Sequence, residues 1–289
     1  MKFQSAMEYL STYGWAVLAI FIALVALYAF GAFNGNTYAP KASPGSCTVS
    51  KNTFGTPTLS GVCTSQIPQF VASFSGNGGI SVNTMLVAPT ATQFSESSWV
   101  YFTKLPSVSG TGYGIAGEGV SPYCNTGGVY CFGIYLASAS PYLFFGFDGC
   151  GNINTGGSFT FAKNTWYNLI ATFGSTSTIY VNGKAYASGT GVAMCNYNVN
   201  FNIGSDGGGD YFDGYMSNVQ LYNTTLSAAS VQALYNEGIG GAPIDLQDLV
   251  GWWPLNGDTK DYSGNGNSGS ASGVSFISSW YNTYAPPGS

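Results

Sequence analysis

The balance of apolar and polar positions changes character twice along the chain. Residues 15 to 33 read Trp-Ala-Val-Leu-Ala-Ile-Phe-Ile-Ala-Leu-Val-Ala-Leu-Tyr-Ala-Phe-Gly-Ala-Phe, without one charge. At ~1.5 Å per residue this run spans about 28 Å, close to the ~30 Å bilayer core. Its apolar character continues all round the helix, which predicts a long hydrophobic N-terminal α-helix and not a surface amphipath. Between 34 and about 65 the periodicity stops. Gly, Ser, Thr, Asn and Pro dominate there, as in a linker. From about 66 onward, short β-forming runs alternate with turns. These include Ser98–Thr103, Gly133–Leu136, Tyr142–Phe145, Trp166–Phe173, Thr178–Val181 and Lys184–Ala187. Asn182-Gly183, between the last two, is a strong hairpin signal. Many short strands with frequent turns predict an all-β sandwich. One helix interrupts it: Ser227 suits an N-cap, Ala228–Asn236 follows, and Gly238 marks its end. The chain therefore divides into a helical segment (1–34), a linker (35–65) and a β domain (66–289).

Composition narrows the chemistry. Charged residues make up only 7% of the 289, with seven Lys, no Arg and no His. Without His there is no Ser-His-Asp triad, no His general base and no His-containing zinc site. Without Arg there is no bidentate clamp on phosphate or carboxylate. A net charge of −5 argues against nucleic acid as a partner. Aromatics at 16% and 21 Tyr exclude a disordered chain and fit a tyrosine-rich extracellular β protein.

The six cysteines are Cys47, Cys63, Cys124, Cys131, Cys150 and Cys195, and none forms a C-x-x-C pair. Disulfides in an oxidising compartment are expected, the alternative being free buried thiols. The expected pairs are Cys47–Cys63, Cys124–Cys131 and Cys150–Cys195. Residues 124–131 close a short turn that reads as a hairpin tip.

Ahead of the apolar run stands Gln4-Ser-Ala-Met-Glu-Tyr-Leu10, and Glu8 is the only acid before Glu96. A carboxylate beside such a helix is costly and is a functional candidate. This segment resembles the class III signal peptide of archaeal type IV pilins, although Phe3 stands where that family has Gly or Ala. The resemblance implies cleavage between Phe3 and Gln4. It also implies that Glu8 neutralises the new N-terminal ammonium of a neighbouring subunit, which would be expensive to bury unpaired. A plain signal anchor in the membrane is the alternative.

A second resemblance lies in the β domain. Trp166 through Gly183, Asn202-Ile-Gly204, Phe212-Asp-Gly-Tyr215, Val219-Gln-Leu-Tyr222 and Leu226-Ser before the short helix resemble the laminin-G-like, concanavalin A-like jelly roll. Leu249–Gly257 and Asp261–Asn267 are similar to segments that normally open such a domain, yet here they close it. Ala72–Gly76 and Ser97–Val100, normally second and third, come first. The resemblance thus implies a circularly permuted order, which is feasible because domain termini usually lie close together.

Glycosidases need two carboxylates flanking the scissile bond. The Glu-x-Asp-x-x-Glu strand motif that the fold's glycosidases use is absent, and Glu96, Glu118 and Glu237 are scattered. A non-enzyme is expected. Calcium would take oxygen ligands from Asp258, Asp261, Asn265 and Asn267, the alternative being an Asx-rich turn bonded to itself. Asp206, Asp210 and Asp213 are the second candidate set. The tyrosines suit sugar stacking and protein contacts alike. Asn223-Thr-Thr is the one N-glycosylation sequon. The expected function is structural and adhesive: a pilin-like filament subunit on the cell surface, displaying a laminin-G-like binding domain. The alternative is a membrane-anchored carbohydrate-binding protein that does not polymerise. The expected partners are identical subunits, the membrane, and a glycan or surface-protein ligand.

Overall fold

The computed structural model describes residues 2–29, 39–64, 66–119, 128–136, 140–147, 151–190, 192–195, 198–205 and 209–287. The chain separates into two compact units, one before residue 41 and one from Lys41 onward. The first contains helix α1 (Lys2–Ala29). Its described side chains run from Tyr13 to Tyr28 and are exposed round the helix, with Trp15 at 73% and Phe21 at 64%. Among the described residues no helix is long and apolar enough to cross a membrane. The uncharged run continues in sequence to Phe33, beyond the described helix. The side chains of Phe3, Gln4 and Glu8 also lie outside the described residues.

The second unit is β-rich. Its strands are β1 (Lys41–Ala42), β2 (Cys47–Lys51), β3 (Pro57–Gly61), β4 (Ile67–Pro68), β5 (Val71–Val82), β6 (Phe94–Phe102), β7 (Thr111–Gly119), β8 (Gly128–Leu136) and β9 (Tyr142–Phe147). They continue with β10 (Gly151–Asn154), β11 (Trp166–Phe173), β12 (Ser177–Val181), β13 (Lys184–Gly189), β14 (Phe201–Ile203), β15 (Asp213–Tyr222), β16 (Leu249–Trp253) and β17 (Ser270–Ile277). Helix α2 (Ala228–Glu237) lies between β15 and β16.

Most of these strands form one continuous path, β10-β9-β8-β7-β14-β5-β15-β6-β11-β12-β13, folded over into a jelly-roll sandwich. The fold-over is made by β5. Residues 72–75 pair with β15, whereas residues 80–82 pair with β14. Between them the strand bends at Gly76, whose φ is 77°. A Cβ on Gly78 would stand 1.9 Å from the Ser272 carbonyl oxygen, so only glycine lets β17 approach there. A strand that bends from one layer into the next is how such corners are made.

The two layers enclose the main core. Strand β6 shows the division: Phe94, Val100 and Phe102 join the inner core, while Trp99 and Tyr101 join an aromatic cluster on the outer face. Period-2 alternation is the cause. On the outer face, Trp99 and Tyr101 pack with Trp166, Trp280 and Tyr284. The segment after β15 also belongs to the sandwich. Strand β16 pairs with β15, and β17 pairs with β5 from Val71 to Ser81. Trp253 and Leu255 are wholly buried.

Local signals account for two connections. Asn182 and Gly183 both have positive φ, 50° and 78°, as a type I′ hairpin requires. Ser227 caps α2 by accepting the Ser230 N–H at 3.1 Å, and Gly238 ends the helix with φ 80°.

Residues 41–64, expected as linker, carry regular structure. Strands β2 and β3 form a hairpin, β1 pairs with β4, and the Cys47–Cys63 disulfide closes the hairpin base. The hairpin docks on the sandwich through Val49, whose N–H donates to the Tyr262 carbonyl at 2.8 Å. Cys131 and Cys195 are disulfide-bonded too. Cys124 and Cys150, and with them the other two expected pairings, lie outside the described residues.

Candidate functional site

Two cavities adjoin where β15 ends and β16 begins, and both are walled by Asn223 and Val250. One is polar, about 300 Å³, and is lined by Asn223, Gln247, Asp248, Asn265 and Asn267. The other is about 260 Å³ and largely apolar, lined by Leu86, Val87, Ala91, Phe94 and Tyr222. Strand pairing sets the junction. Tyr222 pairs with Leu249, and the Asn223 N–H donates to the Asp248 carbonyl at 2.7 Å. Among the described residues, the side chains of Asn223, Gln247 and Asp248 make no hydrogen bond within the protein. One carboxylate and two amides therefore face the cavity, exposed or half-exposed and without a partner in the protein, where water or a ligand can bond them.

Asn265 and Asn267 reach this cavity from the loop expected to bind calcium, but they are engaged. The Asn265 amide donates to the Leu249 and Val250 carbonyls at 2.8 and 3.0 Å, and the Asn267 amide donates to Val250 at 2.8 Å. The Lys51 ammonium donates to Asn265 Oδ1 at 2.5 Å. Asp261 accepts N–H groups from Trp252, Ser263 and Asn267 at 3.0, 2.8 and 2.8 Å. Asp258 accepts the Tyr262 hydroxyl at 2.9 Å. The four residues thus share hydrogen bonds within the turn and to β16, with the Lys51 ammonium beside Asn265.

Of the second candidate set, Asp210 and Asp213 hold different partners. Asp210 accepts the Tyr135 hydroxyl at 2.9 Å, whereas Asp213 holds Thr103 at 2.7 Å and Lys104 at 2.8 Å. Asp206 lies outside the described residues. Among the described residues, no group of three or more His, Cys, Asp or Glu could hold a metal ion. Asn223, the sequon residue, is exposed, and Thr225 donates its hydroxyl to the Phe173 carbonyl at 2.5 Å.

The structure also gathers what the sequence scattered. Glu96 of β6 and Glu118 of β7 both point into the core, at zero exposure. The Tyr130 hydroxyl donates to Glu96 Oε2 at 3.0 Å. The N–H groups of Leu86 and Val87 donate to Glu118 Oε1 at 2.6 and 3.0 Å. Burial pushes the Glu96 carboxyl up to about 8, the Tyr130 bond opposes this, and the nearby Glu118 adds to it. Burial raises Glu118 to about 7 against its two N–H donors. The available signal was a lone acid inside a β-forming run, Phe94-Ser-Glu-Ser-Ser-Trp.

A laminin-G-type family model, described as Concanavalin A-like lectin/glucanases superfamily, matches residues 74–232. The chain belongs to that superfamily. No curated protein matches it by sequence. Among solved structures, the chain is similar to a Bacteroides ovatus protein described as carbohydrate-binding, at 17% identity and TM-score 0.53. That match covers 80% of this chain and 65% of the other, so the chain spans just under two thirds of that protein. It is also similar to a heptameric SAP-like pentraxin of Limulus polyphemus, at 16% identity and TM-score 0.51, covering 74% of this chain and 97% of the pentraxin. At these identities the likeness is one of fold.

Proposed function

We propose that this chain is a surface-displayed, non-catalytic glycan-binding protein, with the Asn223–Val250 cleft as its binding site. One observation carries the reading. Three side chains, Asn223, Gln247 and Asp248, face a polar cavity unbonded, beside a cavity lined by Leu86, Phe94 and Tyr222. A sugar offers the same mixture, hydroxyls on its rim and C–H surface on its face, and sites of this kind combine apolar walls with a few convergent polar groups. Superfamily membership and the carbohydrate-binding description of the Bacteroides protein support it. No catalysis is assigned. The carboxyls that come together, Glu96 and Glu118, are closed off from any substrate. The test is binding of wild type and Asp248→Ala to a panel of immobilised glycans. Loss in the variant supports the cleft, and equal binding removes it.

The N-terminal helix would hold the domain at a membrane, as the uncharged run from Trp15 to Phe33 suggests. A second reading, assembly into a filament through this helix, is favoured by the exposure of its apolar side chains on all sides and by the class III signal resemblance. Under it, Phe3–Gln4 is cleaved and Glu8→Gln abolishes filaments while leaving the domain folded. Mass spectrometry of the mature N-terminus and electron microscopy of surface material decide between anchor and filament. The permuted strand order belongs to the same proposal, and it is supported by the pairing of β16 and β17 within the sandwich. A glycan attached at Asn223 would occupy the cleft itself, so modification and ligand binding at that residue exclude each other.

A further inference from the structure

Among the described residues, three polar atoms facing the main core have no hydrogen-bond partner within the protein: Glu96 Oε1, Ser98 Oγ and Glu118 Oε2. Glu96 and Ser98 are two residues apart on β6, so they line one face of that strand. All three residues are at zero exposure. The groups that act on Glu96 are Tyr130 of β8 and Glu118 of β7, and Tyr130 in turn feels both glutamates. No cation is among them. Two carboxylates without a cation are not held stably in an apolar interior, so the folded state retains protons there.

One of the two carboxyls has a mechanical role. Glu118 Oε1 accepts the backbone N–H groups of Leu86 and Val87, in the connection between β5 and β6. Those two residues, with Ala88, Thr90 and Ala91, form a wall of the apolar cavity. The connection is thus fastened from inside by a group whose neighbour is a second carboxyl, and from outside it faces open space. Strand β6 is paired on both sides at Glu96, with Ala171 and Leu221, whereas residues 85–91 belong to no strand, which leaves the connection as the part that yields most readily.

We propose that Glu96 and Glu118 form a proton-operated latch on residues 85–91. While the pair retains its proton, the segment lies closed against the sandwich and the apolar cavity keeps its wall. When the proton leaves to solvent, the two anions need water, and the segment loosens to admit it. No covalent step is involved. The device makes the width of the cleft depend on pH, and it stands whether or not the cleft takes a sugar.

Hydrogen exchange on the full chain in detergent tests this, with rates corrected for intrinsic pH dependence and read between pH 5 and 9. The Leu86 and Val87 amides are compared with those of Leu169 and Ile170 in the middle of β11. Protection at Leu86 and Val87 should fall by about tenfold per pH unit once the proton is lost, while β11 holds. Glu96→Gln, which leaves Glu118 as the one carboxyl of the pair that can ionise, should make that profile shallower. If this variant does not fold, Tyr130→Phe serves instead. Removing the donor that favours the Glu96 anion should move the loosening to higher pH. Identical profiles in wild type and Glu96→Gln, an unmoved midpoint in Tyr130→Phe, or a parallel loss at β11 each overturn the latch.

Discussion

The two faces of strand β6 differ in how their polar groups are held. On the outer face the serine hydroxyls of β6 are bonded, although Asn168 Oδ1 and Trp280 Nε1 beside them have no partner among the described residues. Ser95 donates to the Thr224 carbonyl at 2.7 Å and accepts the Leu226 N–H at 2.9 Å, and Ser97 accepts from Asn168 at 3.4 Å. Its aromatics are sandwiched as well: Trp99 stacks on Tyr235 at 5.9 Å and Tyr101 on Tyr215 at 5.1 Å. The inner face, at Phe94, Val100 and Phe102, is apolar, yet it carries Glu96 and Ser98, each with an unpartnered atom. A buried unsatisfied group costs ~1–3 kcal/mol. The outer face is held by aromatic packing under α2 and the C-terminal segment. What sets the inner face apart is ionisable: Glu96, with Glu118 near it, is a carboxyl in an apolar interior.

The largest expected effect attacks the outer cover. Deleting residues 246–289 removes β16, β17 and the buried Trp252, Trp253 and Trp280. The sandwich should lose its cooperative thermal transition, and an unchanged melt would mean that the tail is dispensable. Trp99→Ala acts on one point of the same face and should cost ~3–5 kcal/mol, measured by denaturant unfolding. A loss below ~1 kcal/mol would place the outer face outside the stabilising core.

The inner face should respond to pH instead. Folding raises Glu96 from the ordinary 4.5 to about 8 and Glu118 to about 7. The folded state therefore binds more protons than the unfolded chain between those limits. Stability is fully present below about 4.5 and declines as pH rises toward 8. Melting temperatures from pH 5 to 9 should fall for wild type and stay flatter for Glu96→Gln. Parallel curves would remove the carboxyl pair as the cause.

How far the sequence reveals these features depends on how local their causes are. The Asn182-Gly183 turn, the Ser227 cap and the strand runs from Ser98 to Lys184 obey rules a few residues long, and all are found where their patterns place them. The β2–β3 hairpin reads as linker because its support is distant. Val49 leans on Tyr262, and Asn256 donates to the Ala42 carbonyl at 2.8 Å. Asp258, Asp261, Asn265 and Asn267 carry an Asx pattern shared by calcium loops and self-bonded turns, so the sequence pattern alone does not separate the two. Glu96 and Glu118 look scattered because they stand 22 positions apart across a connecting segment, and β6 and β7 are not paired neighbours. Gln247 and Asp248 sit on an irregular connection, where no periodicity singles them out.

The smallest effect on stability is also the one that bears most on function. Asp248→Ala and Gln247→Ala remove side chains without hydrogen bonds among the described residues, so stability should change by less than ~0.5 kcal/mol. The most direct measurement is a glycan array probed with the full chain in detergent, wild type beside the Gln247→Ala/Asp248→Ala double variant. Among the described residues that line the cleft the one charged side chain is Asp248, and the nearby Lys51 ammonium is engaged by Asn265, so the account predicts that wild type retains neutral oligosaccharides. It also predicts that the double variant loses them at an unchanged melting temperature. Equal retention by both proteins, or no glycan retained by wild type, would contradict it.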